Sequence, residues 1–521
     1  MAEDLANAWT GSAGLVHSLD GYFAAATYDE DNGLVVGADV LGLFPVFWWH
    51  SGDVLLVGSS PELFKHHPLF RFALDLAGLT GILLMMHSVG GRTLMTGVNR
   101  LGAGRALVWR RGTQPREVLH YQLPASMAYF DLPFSAAVEL VNDTLRRAVA
   151  RQVPSDARVG MTLSGGRDSR LIAGIMAALG LAPIAITFGN EGDIEMQCAK
   201  AVGRALRLEH RSAEMGQHEL VDCADLHVRW LHCCTGFNSM DYWHCREALH
   251  SLPPYFVSGY LLDSILGGSH FAWAYSDATR DMSFANFFAQ NNRYGIELSK
   301  LRSLLRPELF GTLIDDLIGN LRSTYEGYSD LEAQRAWCFD LHHRQRFHVG
   351  TPPWLFSFGS WPIMPAADKR MLQVMGGLPV GVAGERRAQD EIIRKYFPAL
   401  AELPLDRNGY DTTPLSPRVR HILGGALRGR IAPITKMLTR THSDLERRFY
   451  YRLLDFNGPV WKMVRQKAEP HRRKLEAFFN KDVLDALLPR PQVDIRVPNS
   501  IIDLSGRRLL VGLCLWAENH L

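Results

Sequence analysis

The sequence predicts an α/β protein: a β-rich N-terminal part, a doubly wound parallel sheet, and a helical C-terminal extension. Three observations carry this expectation. Short β-prone runs separated by Gly, Asp and Ser fill residues 1–125. Strand-like and helix-like segments then alternate, the pattern of a parallel sheet covered by helices on both faces. The last 200 or so residues are mostly helical in period, interrupted by Pro and Gly.

In order, "GYFAAATYD", "GLVVGAD", "PVFWWHSGDVLLVGSS" and "RALVWRRG" read as N-terminal strands. "YQLPASMAYFDLP" is Pro-punctuated and reads as a linker. "FSAAVELVNDTLRRAVARQV" has helical period. "RVGMTLS" reads as a strand, "SRLIAGIMAALG" as a helix closed by Gly180, and "APIAITFG" as a second strand. "IEMQCAKAVGRALRLE" (helix) and "YFVSGY" (strand) follow. No internal repeat or low-complexity segment is present.

Composition narrows the function classes. The chain has 521 residues and a formal net charge of +2, and its longest apolar runs are too short for a membrane helix. The start lacks a basic region followed by an apolar stretch, so a cytoplasmic protein is expected. Seven cysteines without regular spacing point to reduced thiols. "LHCCTGFNSMDYWHC" gathers His232, Cys233, Cys234, His244 and Cys245, but without zinc-ligand spacing, and reads as buried Cys in a helical region. From Arg418 to Lys474, fifteen Lys or Arg face four acids, Asp444, Glu446, Asp455 and Glu469. That block is a solvated helical face or a surface for an anionic partner.

"SGGRDS" (164–169) lies between a predicted strand and helix, where α/β sheets bind ligands. Gly165 and Gly166 would let a phosphate approach the backbone, and the helix N-terminus would present free N–H groups. Ser164 and Ser169 offer hydroxyls, and Asp168 offers a carboxylate for magnesium. The competing reading is a plain helix-capping turn, since Ser, Gly and Asp are also capping residues. No GxxxxGK[ST] loop occurs.

The hexamer resembles the pyrophosphate-binding loop of the N-type ATP pyrophosphatases, which cleave ATP to AMP and pyrophosphate. "SGYLLDSILGG" (258–268) is similar to the SGEGxDExxGG segment of their asparagine synthetase branch. Ser258, Gly259, Asp263, Gly267 and Gly268 match, whereas Tyr260 replaces Glu and Ser264 replaces the second acid. "TFGNEGDIEMQCAKAVGRALRLEH" resembles the family's adenine-cradling strand and helix. "WPIMPAADKRMLQVMGGLP" (361–379) resembles its E-x-R-x-PFLD…LP segment through Pro365, Asp368, Leu378 and Pro379. The family's catalytic Glu falls at Trp361 and its Arg at Ile363. In "ELPLDRNGYDTTP" Arg407 matches the R-x-K segment, but Asn408 and Gly409 follow and there is no lysine. "LDGYFAAATYDEDNGLVVGADVLGLFPVFWW" resembles the family's N-terminal LDGxFAFxxYD…RDxxGxxPLYY pattern, yet position 2 is Ala2 and no Cys precedes Cys198.

The resemblance implies a truncated, degenerate Ntn glutaminase-like α+β domain (1–125), an ATP pyrophosphatase domain (126–400) and a helical, basic C-terminal part (401–521). It implies an AMP-forming amide ligase using ATP and Mg2+ without glutamine. Asp168 and Asp263 would hold the metal. Ser164, Gly165, Gly166, Asp168, Ser169, Thr187, Phe188, Gly189, Ser258 and Gly259 would bind ATP and pyrophosphate. Catalytic candidates are Asp168, Asp263, His270 and Arg346, with Arg344 and His348 beside the last in "LHHRQRFHVG". The expected substrate is a carboxylate-bearing peptide or small molecule, as in lactam formation by lasso-peptide cyclases with a precursor peptide and its processing protease. The alternatives are amidation of a uronic acid in a surface polysaccharide, with 418–474 facing an anionic glycan or membrane, and a non-catalytic ATP-binding partner. Nucleic acid is disfavoured, because tRNA-modifying relatives lack the N-terminal remnant.

Overall fold

The computed structural model describes residues 16, 18–30, 33–155, 157–214, 217–237, 250–267, 282–407, 412–418, 448, 453–496 and 504–521. Among the described residues seven short strands build the N-terminal part: β1 (Ala24–Asp29), β2 (Gly33–Ala38), β3 (Phe47–Ser51), β4 (Val54–Gly58), β5 (Asn99–Arg100), β6 (Arg105–Trp109) and β7 (Arg116–Leu119). They form two antiparallel sheets, β1-β2-β6-β7 and β4-β3-β5. Val36, Ala38 and Leu107 of one sheet share a buried cluster with Val46 and Leu101 beside the other, against Trp48, Leu55 and Val57. Strands β5 and β7, too short or too polar to signal themselves, and the helix Leu76–Met85 were not anticipated. Asp75 caps that helix by accepting the Gly78 N–H at 2.9 Å.

The helix Phe134–Gln152 leads into the second part, burying Ala137, Val138, Val141, Leu145, Ala148 and Val149 on one stripe. A five-stranded parallel sheet follows: β8 (Gly160–Thr162), β9 (Ile184–Phe188), β10 (His210–Ala213), β11 (Tyr255–Val257) and β12 (Trp361–Ile363). Its order is β10-β9-β8-β11-β12. The chain winds outward from β8 in one direction and from β11 in the other, so the two neighbours mark a topological switch point. In β9, "IAITF" is buried on both faces, which explains its unbroken apolar run.

Two elements differ from the sequence reading. The helix expected to run through Glu209 ends at Leu206, where Arg207 turns left-handed (φ 55°) and releases β10 to pair with β9. β12 includes Pro362, tolerated because this strand is the sheet edge. One buried cluster runs from Tyr22 and Leu41 through the central sheet to Trp516 in the C-terminal helix Ser505–His520. No described helix is long and apolar enough to cross a membrane.

Candidate active site

The adjacent strands β8 and β11 each end in a glycine loop, and the two loops face each other at the switch point. Gly165 has φ +73°, and a Cβ there would lie 2.5 Å from both the Ala199 nitrogen and the Cys198 Cβ. Only glycine fits this turn. Gly259 is equally confined, with a Cβ position 2.8 Å from the Asp168 carbonyl carbon. The backbones are therefore in close contact, and the Thr162 hydroxyl donates to Ser258 Oγ at 3.2 Å beneath them. Within the first loop the Ser169 hydroxyl accepts the Ser164 N–H at 3.2 Å, and Ser164 Oγ accepts the Gly166 N–H at 3.4 Å. Gly166 is the N-cap of the helix Arg167–Ala178, which points its first turn, carrying Asp168, at the cleft.

The cleft has a volume of about 320 Å³ and is lined by Ser164, Asp168, Ser169, Thr187, Phe188, Glu195, Ser258, Gly259, Tyr260 and Asp263, among others. Thr187 donates its hydroxyl to the Leu163 carbonyl at 2.5 Å and so accepts from His210 Nε2 at 2.9 Å, tying β9 to the loop. Gly189 (φ 116°) donates its N–H to Ala213 at the end of β10.

Sequence reasoning missed the cation of this site. Arg386 places its guanidinium between the two aspartates, 3.3 Å from Asp168 Oδ1 and 4.0 Å from Asp263 Oδ2. Gln389 donates to Asp168 Oδ1 at 2.7 Å. Arg386 and the preceding Glu385 both have left-handed backbone (φ 64° and 53°), a sparsely populated conformation for two consecutive non-glycine residues. Arg167 clasps Asp390 at 2.5 and 3.1 Å, locking the helix Arg387–Tyr396 onto the first-loop helix. Burial raises the Asp168 pKa and the Asp263 charge adds to this, while Arg386 opposes both. Burial works against the Arg386 charge as well, but the two aspartates hold it protonated. None of these partners carries a motif; their only signal is the run "GERRAQD" before a helical pattern.

Two further residues were not anticipated. Arg170, fully buried, donates to the carbonyls of Gly165 (3.0 Å), Leu400 (2.7 Å), Leu403 (3.1 Å) and Pro404, fastening the first loop to the chain beyond 400. Glu195 lines the cleft with burial pushing its carboxyl up to about 6, and Arg448 lies 3.4 Å away. Arg448 also pairs with Asp406 at 2.5 Å. Leu261 occupies the left-handed position (φ 72°) where the SGEG pattern has its second glycine, and its side chain is buried in the core.

Other expected residues lie elsewhere. Arg346 is a correction: a π-helical stretch, Leu341–Val349, buries it against the N-terminal part, where it donates to the carbonyls of Gly42 (3.1 Å) and Leu101. Trp361 packs its ring 5.4 Å from Tyr22 and 6.1 Å from Phe44. His270, Gly268, Asn408, His244, Cys245 and residues 419–447 of the basic block lie outside the described residues. Within the described part of that block, Arg448 and Arg465 are buried, and Lys462 pairs with Asp494 and Lys467 with Asp225.

His232 meets Glu62 and His520, the one group among the described residues spaced for a metal ion. Trp516 Nε1 donates to His232 Nδ1 at 2.9 Å, so Nε2 carries the proton it gives Glu62 at 3.0 Å. Lys65 stands 3.0 Å from His520 Nε2 and 3.2 Å from Glu62. The lone pairs are committed, and the cluster ties the C-terminal helix to the N-terminal part.

The asparagine synthase family model matches residues 140–346, which contain both glycine loops, and the glutamine amidotransferase domain model matches residues 4–121. Both models and the relative below support a likeness to the asparagine synthetase superfamily. A relative, "Asparagine synthetase [glutamine-hydrolyzing] 3" of Bacillus subtilis (strain 168), is 28% identical over 275 residues. That match covers 49% of this chain and 44% of the relative, so the chain spans less than half of the relative's length.

Proposed function

We propose that the protein is an ATP-dependent, AMP- and pyrophosphate-forming carbon–nitrogen ligase. The observation that carries this reading is the pair Asp168 and Asp263, held on facing glycine loops at the switch point with Arg386 between them. Two carboxylates opposed in this way suit a hard divalent cation, and their mutual repulsion is relieved by one. Asp168 and Asp263 would hold Mg2+, which supplies charge neutralisation at the triphosphate.

The chain's own residues account for the rest. The Gly165–Gly166 turn and the helix start at Arg167 offer N–H groups to the pyrophosphate. Arg386 provides a fixed positive charge where the leaving group's negative charge accumulates. Thr187 to Gly189, by resemblance, flank the adenine. A substrate carboxylate attacks the α-phosphorus, forming the acyl-adenylate and releasing pyrophosphate; an amine then attacks the acyl carbon and AMP leaves as the amide forms.

The acceptor half of the site is rebuilt. The position of the family's catalytic Glu is Trp361, committed to an aromatic contact with Tyr22 and Phe44. Residues 4–121 contain no cysteine to act on glutamine. The amine is read as part of the substrate, as free ammonia or as nitrogen supplied by another protein. A cytoplasmic peptide macrolactam- or lactam-forming step in natural-product biosynthesis is the favoured reading. The test is pyrophosphate and AMP release from ATP across a panel of peptide acids and uronic acids, with Asp168→Ala as control. Release with a peptide acid, abolished in the variant, is expected. ATP binding with no release from any acid favours the non-catalytic alternative.

A further inference from the structure

A second cavity, of about 590 Å³, opens between the N-terminal sheets and the helices of the second part. Arg100, Glu117 and Tyr121 line it from one side, and Thr324, His342 and Arg346 from the other. It shares no lining residue with the nucleotide cleft.

Two guanidinium groups converge beside it. Arg100, 2% exposed, donates Nη2 to the Gly42 carbonyl at 3.2 Å, and Arg346 donates Nε to the same oxygen at 3.1 Å. Both stack on Phe347, with Cζ atoms 4.3 and 5.1 Å from the ring centroid. Nε and Nη1 of Arg100 are shut off from water and have no hydrogen-bond partner. Among the described residues neither arginine forms an ion pair. The nearby acids are engaged by other donors. Asp39 accepts the N–H groups of Leu41, Leu43 and Phe44, and Glu117 accepts Trp48 Nε1 and the Gly102 N–H. Like charges side by side with unmade hydrogen bonds are unfavourable in a buried setting. A planar or tetrahedral oxyanion supplies the missing acceptors and charge, in the fork geometry guanidinium groups match best.

We propose that this cavity binds a small oxyanion, a carboxylate or phosphate group carried by a metabolite, with Arg100 and Arg346 as its cationic donors. A modest turn of the Arg100 guanidinium into the cavity it lines brings its unused N–H groups onto the ligand. Because the cavity wall comes from both parts of the chain, a bound anion clamps them together.

The test is calorimetric titration of the full chain with inorganic phosphate and, separately, succinate, at constant ionic strength. Saturable binding of one probe is expected; which probe binds distinguishes phosphate from carboxylate ligands. Binding persists in Arg386→Met, which removes the cation beside the nucleotide loop and so separates this cavity from it, and is lost in Arg100→Met. Should Arg100→Met not fold, Arg105→Glu at the exposed rim of the cavity is expected to weaken binding by about tenfold through charge repulsion. No saturable binding of either probe to the wild type overturns the proposal. So does binding that vanishes in Arg386→Met, or binding that persists undiminished in both Arg100→Met and Arg105→Glu.

Discussion

Replacing either glycine of the first loop by alanine separates two roles that the sequence presents as one. Gly165 has φ +73°, so any L side chain there pays about 1–2 kcal/mol for the left-handed backbone. Its Cβ would also lie 2.5 Å from Cys198 Cβ and the Ala199 nitrogen. Relieving that contact means shifting the helix Ile194–Leu206, an overpacking penalty of about 1–3 kcal/mol. Gly165→Ala is thus expected to destabilise by about 2–5 kcal/mol in all. Gly166 has ordinary backbone (φ −73°), and its Cβ would meet the Ser164 hydroxyl at 3.3 Å and the Asp406 carbonyl oxygen at 3.8 Å. Restricting the unfolded chain there gains about 0.4–1 kcal/mol, so Gly166→Ala should stay within about 1 kcal/mol of wild type. ATP affinity should nonetheless fall in Gly166→Ala, because the added methyl stands where a phosphate approaches the backbone. Urea denaturation and nucleotide titration on both variants check this. Equal stability of Gly165→Ala and wild type, or equal losses in the two variants, would refute the reasoning.

Three other outcomes follow from buried polar groups. Burial pushes the Asp340 carboxyl up to about 8, so the folded chain holds a proton that the unfolded chain releases near pH 4. Stability should therefore decline as pH rises from about 4 toward 8, and Asp340→Asn should flatten that decline in thermal melts. Arg448, fully buried, pairs with Asp406 and lies beside Glu195; Arg448→Met removes this positive charge from beside both carboxylates and should lose about 3–5 kcal/mol by chemical denaturation. Trp516→Phe removes the indole N–H that His232 Nδ1 accepts, leaving a buried nitrogen unsatisfied, with an expected loss of about 1–3 kcal/mol. The His232 ring 15N shifts should move in that variant, which a purely volumetric effect would not produce.

The parallel sheet and its two glycine loops were legible because their signals are local. An apolar run, a glycine turn and a helix start sit within a dozen residues of each other around 160–178 and again around 255–267. Arg386, Gln389 and Glu195 were not legible as site residues, since nothing in their own segments demands a charge; tertiary packing brings them to Asp168 and the cleft. Arg346 shows the converse. An arginine amid histidines reads as a catalytic candidate, yet the π-helical turn directs it to the Gly42 carbonyl, away from the nucleotide cleft. Leu261 holds a backbone conformation that favours glycine, a strain of about 1–2 kcal/mol offset by burying its side chain at about 1.5–3 kcal/mol.

The account rests on Asp168 and Asp263 acting together on one metal–nucleotide complex. Calorimetric titration of ATP, with and without Mg2+, into wild type, Asp168→Asn and Asp263→Asn measures this directly. The account predicts ATP binding that strengthens with Mg2+ in the wild type and loses that dependence in each single variant. ATP binding indifferent to Mg2+ and to both substitutions would contradict it.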